Sequence, residues 1–162
     1  MALASHIERY DDGVDRVDVA WHDFSRLPRL SPAMEEFHRI VTSVAGEPPA
    51  LETFDPQSLD LLAFHVIAIS EPDPAAWRFV RRGWTGLDAR HWRCLGDVEI
   101  EAVRAQAISG YLRSAYTGPT LSRIERHAEG VEALTYTRLC APQTDRLYGR
   151  PYFLWVGMAL EP

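Results

Sequence analysis

Apolar and polar positions change period several times along this chain, and each change marks an element. Residues 152–160 pass without a charge, just after the turn-like Gly149-Arg150-Pro151. An apolar run this short, rich in aromatic and branched side chains, predicts a strand covered on both faces. It is too short to span a bilayer as a helix. Earlier strands must then flank it on both sides, in an antiparallel sheet with helices packed on it.

Upstream, Ser31-Pro32 predicts a helix start: Ser31 can accept from the free amides of the first turn, and Pro32 needs no donor there. Met34, Phe37, Val41 and Val44 follow at spacings of three, four and three as one apolar stripe. Glu35 and Arg39 are four apart and set to pair. Gly46 and Pro48-Pro49 end the element. The stripe must cover this domain's own sheet or a second copy of the chain; Met34, Phe37, Val41 and Val44 are taken as the contact for a homodimer or a signalling partner. Asp55-Pro56 predicts a shorter helix running to about Leu62.

Two strands then alternate toward a hairpin, 64–70 around Val66, Ile67 and Ile69, and 77–81, where Trp77 and Phe79 share a face. Between Gly83 and Asp97 the pattern weakens into turns or helical turns. Helical period returns at Ile100, Val103, Ala107, Ile108, Tyr111, Leu112 and Ala115, and Gly118-Pro119 closes it. Strands at 121–128 and 131–140, joined at Glu129-Gly130, lead to the final strand. With strand five between strands one and four, the last strand is the centre.

Residues 1–30 read differently: Asp11, Asp12, Asp15 and Asp18 surround Gly13 without the alternating ligands and closing glutamate of a calcium loop. They are taken as a solvated lead-in, leaving 31–162 as the folded domain. At 162 residues, 46% hydrophobic and 25% charged, the chain has the composition of one ordinary globule. Its net charge of −6 comes without a lysine or arginine run, which argues against nucleic acid and acidic membranes. No secretion signal is read at the start. Two cysteines, Cys94 and Cys140, without metal-type pairs suit a reducing cytoplasm.

Several phrases carry a family likeness: Asp55-Pro56 with Leu59 before the first of these strands, Trp77-Arg78-Phe79-Val80-Arg81-Arg82-Gly83 in the second, Tyr136-Thr137-Arg138-Leu139-Cys140-Ala141-Pro142 before a polar turn, and the final apolar strand. Over residues 31–160 the chain resembles a PAS domain, in particular the single-domain PAS-like family common in alphaproteobacteria. The resemblance implies an α+β fold: a five-stranded antiparallel sheet with helices on one face and an N-terminal helical extension. It implies a bacterial sensory domain in signal transduction, with a small cavity between helices and sheet and an outer face for a flanking helix or subunit. With no kinase, cyclase or DNA-binding segment read, output would pass through a partner. Residues 84–97 depart from the family pattern, carrying His91, Trp92 and Cys94 where the cavity would be lined, so the ligand is left open.

Candidate chemistry is sparse. Trp77, Phe79, Tyr111, Tyr136 and Trp155 are the aromatic side chains expected to line an interior, with Arg138 as anchor for an acidic ligand. His65 and His91 are the histidines nearest to a haem-ligand position, and His91 with Cys94 makes one half of a zinc site; neither cysteine has a flavin-photosensor motif. No cofactor or metal is assigned. Glu125 and His127, two apart on a strand, are the acid–base pair an enzyme would use, but they lie in a charged alternating run typical of a solvated face. A binding domain is therefore the expected function, a ligand-free protein-interaction adaptor the alternative and a small enzyme the third.

Overall fold

A computed structural model describes residues 7–23, 30–46, 48–51, 53–82, 91–145 and 147–161, with the backbone alone for 43–46. Its elements are β1 (Ile7–Asp11), β2 (Asp15–His22), α1 (Pro32–Gly46), β3 (Ala63–Ala68), β4 (Arg78–Arg82), α2 (Glu101–Thr117), β5 (Thr120–Ala128), β6 (Val131–Thr144) and β7 (Pro151–Leu160). Single 3-10 turns stand at Pro56–Ser58, Pro74–Ala76 and Leu95–Asp97. The first of these replaces the short helix expected after Asp55: the Asp55 carboxylate accepts from Gln57 N, and the turn goes no further.

The seven strands among the described residues join one antiparallel sheet in the order β1-β2-β5-β6-β7-β3-β4. β7 lies between β6 and β3, so the last strand is flanked on both sides as its two-sided apolarity requires. Leu154, Trp155 and Val156 have no exposed surface.

Two parts of the expected architecture are corrected. The sheet has seven strands where five were expected, because residues 7–22 form a hairpin where a solvated lead-in was expected. β2 buries every second side chain, Val17, Val19 and Trp21 among them, and pairs with β5 from Asp15↔Ala128 to His22↔Leu121. That pairing satisfies backbone groups that a bare β5 edge would leave open. The clustered aspartates serve the turn: Gly13 N donates to Asp11 Oδ1, Val14 N and Asp15 N donate to Asp12 Oδ1, and Gly13 takes φ 89°.

Helices also cover both faces of the sheet, where one was expected. Alternation along each strand sends Phe64, Val66, Leu139, Ala141 and Trp155 toward α1, and Ile67, Cys140, Leu154 and Val156 toward α2. The α2 layer continues over the hairpin through Val17, Val19, Ala102, Ile124 and Tyr136.

α1 begins as expected, with Met34 N donating to Ser31 Oγ at 3.2 Å. Its stripe folds back on this chain: Met34, Phe37 and Val41 are fully buried in the core with Phe54, Phe64 and Trp155. The assignment of that stripe to a dimer or partner contact is thereby corrected; the side chain of Val44 lies outside the described residues. Arg39 pairs with Glu36, one turn back, and not with Glu35. Gly157 in β7 lets α1 approach closely, since a methyl group there would overlap the Phe37 ring.

Replacing Phe37 with Asp is therefore expected to lower the melting temperature without changing oligomeric state, read by calorimetry and sedimentation. Phe37→Ala should cost about 3–5 kcal/mol in urea unfolding. Gly157→Ala should cost roughly 1–3 kcal/mol by overpacking the same contact.

Candidate functional site

Five of the six residues expected to line an interior lie on the α2 side of the sheet. Trp77 and Arg138 have no exposed surface, Tyr111 and Tyr136 are buried, and Phe79 is half-buried. Trp155 is not with them. It points to the α1 face, edge-on to Phe54 at 5.2 Å, with its indole N–H donating to Gln143 Oε1 at 3.0 Å. Its strand position decides this: Trp155 is one residue from Leu154 and Val156, which face α2. Trp77 fills core space beside α2, and its indole N–H is satisfied by the Glu71 carbonyl at 2.8 Å.

The remaining residues form a polar chain inside an apolar layer. Arg138 Nη1 donates to Gln106 Oε1 at 2.6 Å, and the guanidinium carbon lies 5.1 Å from the Tyr111 ring centre. The Tyr111 hydroxyl is 2.9 Å from His65 Nε2, and the His65 ring meets Phe79 edge-on at 5.2 Å. Gln106 and Gly110 were not picked out from the sequence. Both sit on the α2 face that crosses β6, and a methyl group at Gly110 would overlap Arg138 Nη2. A glycine one turn from a glutamine, opposite a strand arginine, was the available signal.

Electrostatics set the protonation of this chain. Burial, then the Arg138 and Arg82 charges, bring His65 from the ordinary 6.5 to about 3, so the imidazole is neutral at physiological pH. Burial pushes the Tyr111, Tyr136 and Cys140 groups up, so phenols and thiol keep their protons. Cys140 is thus no nucleophile at neutral pH. Arg138 supplies the positive charge.

The other candidates are dispersed. His91 is exposed, while Cys94 bridges to Arg78 beside β4 and its amide donates to Asp97 Oδ2. Residues 83–90 lie outside the described residues. Among those described, no three His, Cys, Asp or Glu side chains stand close enough to hold a metal ion. His127 Nε2 is 2.7 Å from Glu125 Oε1, close enough for an ion pair but not aligned as a hydrogen bond. The pair stands on β5 beside Arg123, which itself meets Glu125 and Glu161. An open groove of about 610 Å³ separates the first turn of α1 from Leu59, Leu61 and Leu62, with Leu160 beside it. None of the six expected ligand residues lines it.

No family model, curated protein or solved structure matches this chain. No helix among the described residues is long and apolar enough to cross a membrane.

The depressed His65 sets a pH dependence. The unfolded imidazole takes a proton near pH 6.5 and the folded one only near 3, so stability is complete above about pH 6.5 and falls as the pH drops. Between pH 7 and pH 4.5 the loss from this group should be about 2–3 kcal/mol. Urea unfolding at the two pH values measures it, and His65→Gln should remove most of the difference.

Proposed function

We propose that this chain is a PAS-like sensory or regulatory domain that binds a small molecule between α2 and the sheet and passes the signal to a partner protein. The observation that carries this reading is the polar chain of His65, Tyr111, Arg138 and Gln106 within an otherwise apolar layer. A layer that served packing alone would gain nothing from a buried cation, whose desolvation is costly without a counter-charge. Pockets that recognise ligands have this composition, mostly apolar with a few converging polar groups.

The order of the five C-terminal strands supports the PAS-like part of the reading. Counted from β3, the fifth lies between the first and the fourth, as the resemblance implies. The N-terminal hairpin is then an addition at the β5 edge. The adaptor reading keeps one observation of its own, the groove of about 610 Å³ beside α1, whose walls include Leu59, Leu61 and Leu62.

Native mass spectrometry of the purified chain, with its absorption spectrum, tests the proposal. An added mass that disappears on denaturation is the expected result, and absorption in the visible range would identify a haem or flavin. A bare mass, with no added compound raising the melting temperature, would overturn ligand binding in favour of the adaptor.

A further inference from the structure

We infer that the interior site takes a carboxylate, held side-on by the Nε–Nη2 edge of Arg138. This rests on the binding reading above and names the ligand's chemical class. The Arg138 side chain has no exposed surface, and its Nη1 is occupied by Gln106 Oε1. Nε and Nη2 have no hydrogen-bond partner.

Those two nitrogens are not an arbitrary pair. Their N–H bonds run parallel on one edge of the planar guanidinium, at the spacing of the two oxygens of a carboxylate. One planar acid group would satisfy both donors and supply the missing negative charge. A neutral amide or alcohol would supply no charge and leave the cation buried and uncompensated.

The surroundings point the same way. The Trp21 indole N–H is also buried without a partner, and Trp21 and Arg138 Nη2 both approach Gly110 of α2. The carboxylates of the neighbouring hairpin are committed elsewhere: Asp15 to Arg126 at 3.1 Å, Asp18 to Arg9 at 2.8 Å, and Glu8 to Tyr10 at 3.0 Å. His65 is neutral and offers no counter-charge. Gly110 gives the guanidinium its room, and Gln106 and the Tyr111 ring hold its plane.

The test compares acetate and benzoate with acetamide and benzamide, and with phosphate, at matched ionic strength on the full chain. Thermal shift and calorimetric titration are the readouts. The carboxylates should raise the melting temperature by about 2 °C or more, and the amides of the same shape should not. Arg138→Lys keeps the charge and loses the fork, and Gly110→Ala displaces the guanidinium while favouring the helix. Each should weaken carboxylate binding about tenfold or more. If Arg138→Lys does not fold, Gly110→Ala decides.

Equal responses to acid and amide, a response to phosphate alone, or carboxylate affinity unchanged in the variants would overturn the inference. A neutral molecule found by native mass spectrometry would overturn the carboxylate while leaving ligand binding intact. A bare mass with no response to any compound would overturn both.

Discussion

Leu154, Trp155 and Val156 are consecutive and have no exposed surface, and consecutive strand side chains point to opposite faces. The sheet must therefore be covered on both sides where β7 runs. α1 covers one side by laying Phe37 on Gly157, and α2 covers the other through Ala107, Tyr111 and Ala115. The three-layer arrangement follows from that constraint. The α1 layer is packed with aromatic rings, Phe37, Phe54, Phe64 and Trp155 each within about 6 Å of another. The α2 layer is the one that holds the fully buried Arg138, with Gln106 and His65.

Much of this was legible in the sequence. Residues 152–160 announced a central strand because nothing charged interrupts them. Ser31-Pro32 and Gly118-Pro119 marked helix ends because their backbone chemistry is local. What failed was whatever depends on a partner distant in sequence. The 3-4-3 stripe of α1 fixes a helix face but not what covers it, and the cover proved to be β7, over a hundred residues downstream. The hairpin was missed although Val17, Val19 and Trp21 alternate with Arg16, Asp18 and Ala20. The clustered aspartates drew attention as charge when they were turn residues. Trp155 was expected beside Trp77 and Tyr111, and strand parity puts it on the opposite face of the sheet.

Arg138 was read from the sequence as an anchor for an acidic ligand. Its role needed three dimensions. β6 places it opposite Met158 of β7 and Ser122 of β5, near the middle of the sheet, where water is excluded. In such a setting a charge is felt strongly, and Tyr10, His65, Tyr111, Tyr136 and Cys140 all have their protonation shifted in part by this one cation. Small residues on α2 permit the approach. Gly110 clears the guanidinium, and the Ser114 hydroxyl reaches the Cys140 carbonyl at 3.1 Å.

The N-terminal hairpin carries a consequence for synthesis. Asp15 meets Arg126, which is 111 residues further along the chain, and the amide of Ala102 donates to Asp12. At translation rates of roughly 5–20 residues per second, β2 waits about 5–20 s for the strand it pairs with. For that interval Val17, Val19 and Trp21 leave the ribosome as an uncovered apolar ridge on a strand with an open edge. Nascent chains in that condition are the ones chaperones shield, and Arg16 and Asp18, interleaved along β2, keep the same segment soluble while it waits.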